Sequence, residues 1–195
     1  MRILLTNDDG INAPGILQLA ERLKDRYEVM IAAPMEQRSA YSHAVTYFRH
    51  ETYVEEKKIE GVSKAWAIDG TPADCAYLGI YAMDERKPDL VLSGINQGQN
   101  LSADIIYSGT IGAACEAIIA GIPAIAMSYC SYTDPDFSVP AEIAEKMIPF
   151  YMGLEEKNFV LSVNVPQLPM EEIKGYRVTY PQKPRDFERK LKKTD

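Results

Sequence analysis

Ile3-Leu4-Leu5-Thr6-Asn7-Asp8-Asp9-Gly10 is an apolar run closed by an acidic turn, just upstream of a helical pattern. Short, wholly apolar runs ended by turn residues are how buried parallel strands read, because both of their faces are covered. Pro14 suits the first position of a helix, and Ile16, Leu19, Ala20, Leu23 and Tyr27 recur at the spacing of one buried helical face. Residues 28–33 form the next apolar run, stopped by Pro34. Strand, helix and strand in this order make a βαβ unit.

The alternation continues downstream. Residues 34–43 are polar and aperiodic, a loop; residues 45–54 read as an extended strand or hairpin arm, and 65–68 as a further strand. Thr71-Pro72-Ala73-Asp74 is a helix start, with Thr71 as cap, Pro72 in the first turn and Asp74 as the capping-box acid. That helix runs to about Met83. Residues 89–92 read as a strand and 93–109 as a long, polar, glycine-bearing loop. Residues 110–120 form an alanine-rich helix with Gly121 at its C′ position. A strand at 123–127, a helix at 140–152 and strands at 159–165 and near Tyr176 to Tyr180 complete the series. Such a series predicts a parallel α/β sheet with helices on both faces, whose ligands bind at the carboxyl ends of the strands.

At 195 residues, 46% apolar and 25% charged, the chain has the length and composition of one domain that needs no disulfide or metal to hold a core. Its net charge of −7 and pI of about 5.0 argue against a cationic face for a nucleic-acid polymer. A phosphate-bearing ligand would need a local offset to that field. Residues 181–195 differ, holding six basic side chains against three acidic ones, and read as a solvated tail. Cys75, Cys115 and Cys130 lie far apart with no CxxC pair, the pattern of free thiols in a reducing compartment. The N-terminus turns acidic after three apolar residues, too soon for a signal peptide, and no apolar run approaches the ~18 residues of a membrane span. The expected location is the cytoplasm, with no membrane partner.

Four polar segments fall where that sheet would bind a ligand. In the first, Asp8 and Asp9 follow a buried strand, where adjacent carboxylates repel unless a cation or donors separate them. Mg²⁺ or Mn²⁺ sites use one or two carboxylates and leave the rest of the shell to water and phosphate. The alternative is an Asx turn with Asp8 or Asp9 capping the following helix. In the second, residues 35–43, Arg38 and the hydroxyls of Ser39 and Ser42 suit anion or metal contacts, while His43 is either an acid–base group or a surface residue. In the third, Gly94 and Gly98 allow close backbone approach, and Asn96 offers a carbonyl oxygen to a hard cation. In the fourth, Ser108, Gly109 and Thr110 at a helix start suit a phosphate, although Thr110 alone reads as an N-cap. No dinucleotide fingerprint, P-loop, zincin motif or nucleophile elbow competes.

Residues 3–15 (ILLTNDDGINAPG), 33–42 (APMEQRSAYS), 69–75 (DGTPADC), 88–100 (PDLVLSGINQGQN) and 107–114 (YSGTIGAA) together resemble the SurE family, the survival-protein nucleotidases. The resemblance implies a three-layer α/β/α sandwich with a mostly parallel, Rossmann-like sheet and C-terminal strands for oligomer contact. It implies one domain over residues 1–180 with its catalytic core at about 1–130. The activity implied is metal-dependent hydrolysis of nucleoside 5′- and 3′-monophosphates, with short polyphosphate as a further substrate. One divalent cation, Mg²⁺ or Mn²⁺, would be held by Asp8, Asp9, Ser39 and Asn96. The attacking group would be a water or an aspartate, with Asp8, Asp9 and Asn12 catalytic. Gly10, Ser42, Gly94, Ser108, Gly109 and Thr110 would line the phosphate side. Family members exchange a C-terminal segment between subunits, and for this chain the expectation is a homodimer through its C-terminal third. A catalytically silent nucleotide-binding module is the competing reading.

Overall fold

Chain direction at the first strand sets the architecture. In the computed structural model, which describes residues 1–49 and 51–181, β1 (Arg2–Thr6) lies in the middle of a seven-stranded sheet. It is followed by α1 (Pro14–Leu23) and β2 (Glu28–Pro34), which pairs parallel with β1 in the register Ile3 to Val29 and Leu5 to Ile31. β3 (Val54–Lys57) runs antiparallel on the outer edge of β4 (Lys64–Ile68), which is parallel to β2. α2 (Pro72–Tyr81) then carries the chain back across the sheet to β5 (Leu90–Gln97) on the other side of β1. After a short α3 (Asp104–Tyr107) and α4 (Gly109–Ile119) come β6 (Ala124–Cys130), α5 (Ser138–Met152) and β7 (Val160–Pro166), the far edge. The order β3-β4-β2-β1-β5-β6-β7 therefore reverses between β1 and β5. The carboxyl ends of those two strands open the crevice in which α/β sheets bind ligands.

Strand pleating sends alternate residues to two cores. Ile3, Leu5, Ile31, Leu92 and Ile125 meet α1 through Ile16, Leu19 and Leu23, and α5 through Ile148 and Tyr151. Leu4, Met30, Ile68, Val91 and Ala126 meet α2 through Cys75 and Ile80, and α4 through Ile111, Ala114 and Ala117. The result is the three-layer α/β/α sandwich with a mostly parallel sheet. Each fully buried Leu or Ile contributes roughly 1.5–3 kcal/mol by leaving water. No helix among the described residues is long and apolar enough to cross a membrane.

Three segments differ from the sequence reading. Residues 93–97, expected in a loop, continue β5: Asn96 aligns with Ser128 and Gln97 with Tyr129 of β6, past an irregularity after Ser93. Residues 45–49 are turns rather than a strand. The main-chain N–H and hydroxyl of Thr46 donate to Asp74 at 2.8 and 2.5 Å, so the loop is tied to the start of α2 instead of a ladder. Residues 176–180 carry no strand. The capping box at Thr71 and Asp74 is present, with Asp74 N–H on the Thr71 hydroxyl and Thr71 N–H on Asp74. The basic tail, from residue 182, lies outside the described residues.

Candidate active site

The turn after β1 is held by Asn7, whose side chain accepts from the Gly10 N–H at 3.1 Å and donates to the Gly10 carbonyl at 2.8 Å. Asn7 therefore makes the Asx turn, and α1 has Ala13 at its N-cap with no side-chain cap. Neither Asp8 nor Asp9 caps the following helix, α1. That alternative is removed for both carboxylates.

They face opposite layers. Asp8 is 4% exposed and turns toward α4, where Thr110 Oγ1 donates to Oδ1 at 2.6 Å and the amides of Gly109 and Thr110 favour its ionised form. Burial outweighs these donors and raises its pKa. Gly109 makes the approach possible, because a Cβ there would lie 2.9 Å from Asp8 Cβ and 2.8 Å from Pro72 Cγ. Asp9 turns toward α1 and accepts from the Gln97 N–H at 3.1 Å. Burial first, and the charge of Asp8 second, push its pKa up to about 6, against the pull of Gln97 and Gln37. Neither carboxylate forms an ion pair among the described residues.

Two neutral oxygens stand next to residues that touch the DD turn, Asn96 beside Gln97 and Ser39 beside Arg38. Asn96 Nδ2 donates to the Gly98 carbonyl at 2.8 Å, which fixes the amide and leaves Oδ1 as the open acceptor. Ser39 sits on the loop after β2, where Gln37 Nε2 donates to its hydroxyl at 3.0 Å and the Arg38 N–H donates to the Asp8 carbonyl at 2.7 Å. Among the described residues no three His, Cys, Asp or Glu side chains cluster as metal ligands. Two uncompensated carboxylates with an amide carbonyl and a hydroxyl are nevertheless an all-oxygen set of the kind that fits a hard divalent cation.

The remaining predicted residues separate by what their protons already do. Ser108, not Thr110, is the N-cap of α4: its hydroxyl accepts from the Ile111 N–H at 3.2 Å and keeps its own proton. Thr110 commits its proton to Asp8. Ser42 donates its hydroxyl to the Ile106 carbonyl at 2.7 Å and its N–H to the Tyr107 carbonyl at 3.0 Å, which fastens the Ser39 loop to α3. Gly94, at φ +134°, is buried in β5, where a Cβ would meet the Met127 carbonyl at 2.4 Å. Arg38 pairs with Asp69 at 2.9 Å, and His43 Nε2 lies 2.8 Å from Glu116, so neither side chain turns to the carboxylates. Gly10 and Asn12 line a cleft of about 330 Å³ with Asp9, Met35, Gln37, Gln97 and Phe137.

A sequence model of the family described as "Survival protein SurE" matches residues 3–188. The chain belongs to the SurE family. A 5′-nucleotidase SurE of Carboxydothermus hydrogenoformans is 45% identical over 188 residues, covering 92% of this chain and 70% of that protein. One from Clostridium kluyveri is 47% identical over 183 residues, covering 91% and 75%. The crystal structure of the SurE protein from Aquifex aeolicus superposes with a TM-score of 0.83 at 40% identity, covering 94% of this chain and 73% of that one. The SurE fold thus brings together the DD turn, the Ser39 loop, the end of β5 and the start of α4. Gln37 and Gln97 are the site residues that sequence reasoning missed. Their signal was adjacency: each stands beside or near a candidate ligand in a motif already singled out.

Proposed function

We propose that this SurE protein is a metal-dependent phosphomonoesterase that releases phosphate from nucleoside 5′- and 3′-monophosphates, with short polyphosphate as a further substrate. The observation that carries the reading is the pair of a buried Asp8 and a partly buried Asp9 at the β1–β5 crevice, with no cationic partner among the described residues, in a chain whose relatives are named 5′-nucleotidases. Asp8, Asp9, Ser39 and Asn96 would hold one Mg²⁺ or Mn²⁺. Such an ion supplies charge neutralisation at the phosphoryl oxygens and a more acidic bound water.

The chain's own groups do the rest. Ser108 retains a hydroxyl proton and donates it to a phosphoryl oxygen, while the start of α4 favours negative charge through its aligned amides. Thr110 orients Asp8 and favours its ionised form against the effect of burial. Gly10, Gly94 and Ser42 shape the walls, and Asn12 reaches the phosphate from the α1 side. Water is the favoured nucleophile, because Oδ1 of Asp8 and Oδ2 of Asp9 are already engaged as acceptors. The reading includes a homodimer and a cytoplasmic location, the latter supported by the free thiols of Cys75, Cys115 and Cys130.

Phosphate release from a nucleoside monophosphate with Mn²⁺ or Mg²⁺, with and without chelator, tests the proposal. Chelator-sensitive release is expected. Chelator-insensitive release would remove the metal, and nucleotide binding without release under any metal would favour the silent module.

A further inference from the structure

Beside the start of α4 the surface turns apolar. Tyr107, which directly precedes Ser108, is 62% exposed, its neighbour Ile106 is 70% exposed, and Tyr41 is 42% exposed. These side chains come from a loop and from α3, which Ser42 joins through its bonds to the Ile106 and Tyr107 carbonyls. The loop carries Ser39 and α3 leads into Ser108 and Gly109. The junction is tight, since a Cβ at Gly112 would lie 2.3 Å from the Ser42 carbonyl oxygen. The loop turns through left-handed backbone at Ala40 (φ +63°) and Ser42 (φ +58°), a conformation that surrounding contacts must hold. The exposed rings are thus held in place rather than left loose.

From this arrangement we infer that Tyr107, with Tyr41 and Ile106 beside it, is the platform on which the base of a nucleotide stacks. The inference rests on the nucleotidase reading and deepens it. A phosphate on the proton of Ser108 places the nucleoside outward, over the residue that precedes Ser108. Asp8, Thr110 and the start of α4 lie on the α2–α4 side of the sheet, as does this surface, whereas the 330 Å³ cleft opens on the α1–α5 side. Of the three platform residues none is an amide or charged side chain that would read a base edge, and the Arg38 guanidinium beside Tyr41 is paired with Asp69. Aromatic stacking accepts every base, because each has a π-face. Tyr41 is covered in part by the Arg38 guanidinium, 5.7 Å from its ring centroid, so Tyr107 carries the larger share.

Steady-state kinetics with adenosine 5′-monophosphate and with base-free ribose 5-phosphate test this on the full chain. Tyr107→Ala should raise KM for the nucleotide about tenfold, with kcat and the ribose 5-phosphate KM little changed. Tyr107→Phe should behave as the unaltered protein, and Tyr107→Leu, which keeps apolar bulk without a π-face, should follow Tyr107→Ala. An equal loss on both substrates would make the ring a support for the loop and overturn the assignment. So would a silent Tyr107→Ala alongside a nucleotide-specific KM rise in Met35→Ala, which would move the base into the cleft. If the unaltered protein hydrolyses neither ester with any divalent cation, the nucleotidase reading itself fails, and that outcome is distinct from the other two.

Discussion

Asp9 carries a cost that its chemistry requires. Its pKa of about 6 lies above the ordinary carboxylate value near 4, so the folded apo-protein holds a proton that the unfolded chain releases earlier. Stability from this group is therefore gained as pH falls from about 6 to about 4 and lost as pH rises through that window, by roughly 2–3 kcal/mol. We predict that Asp9→Asn raises the apo-protein melting temperature at pH 7, removes this part of its pH dependence and abolishes turnover. Thermal melts at pH 5 and pH 7 with chelator check the first two, and phosphate release checks the third. A divalent cation should stabilise the unaltered protein more than Asp9→Asn. The placement of Asp8 and Asp9 at the end of a buried strand was legible in the sequence, because adjacent acids after an apolar run are anomalous without a counter-charge. The proton bookkeeping of Ser108, Ser42 and Thr110 was not, because residue type fixes what a hydroxyl can do and only its neighbours fix what it does.

Among the elements, those with a period or a cap were readable: α1 from its spacing, α2 from its Thr71 and Asp74 box, α4 from its alanine run. β5 was cut short because Ser93, Gly94, Asn96 and Gln97 read as a loop, yet pairing with β6 supplies the strand that local preference does not. Residues 45–49 were misread for the converse reason, since Asp74 offers Thr46 better partners than a strand edge would. The contact of α4 with the DD turn leads to a paired prediction. Gly109→Ala drives a methyl into Asp8 Cβ and Pro72, and Gly79→Ala drives one into Leu4 and Ala32 at 2.8 and 2.9 Å beneath α2. Both should cost about 1–3 kcal/mol in denaturant unfolding. Only Gly109→Ala should lower kcat at saturating Mn²⁺, because only there does the strain reach a carboxylate proposed to hold the metal.

For the molecule as a whole, the apolar exposure at the β7 end calls for a partner. Phe159, Leu168 and Tyr176 are exposed, Tyr180 is 90% exposed and Val178 fully so, in and after an edge strand that among the described residues pairs only with β6. Apolar patches of more than a few hundred Å² are uncommon on monomers. A homodimer through this third, burying at least ~1,000 Å², is the expected state. Sedimentation at micromolar concentration should give about twice the 21.8 kDa chain mass, and a monomer at that mass would overturn the expectation.

The span of the site along the chain bears on its birth as well as its use. Asp8 waits for Thr110, 102 residues later, and Asp9 for Gln97, 88 residues later. During synthesis from the N-terminus, the two acids leave the ribosome well before the groups that hold them. Until those groups have emerged, burying the two carboxylates would strand two charges without donors. The β1–β2 half can form ahead of time, but its catalytic turn must stay open until β5 and α4 arrive. Ribosome-bound chains ending before about residue 110 should accordingly be inert, because they lack the Thr110 partner of Asp8.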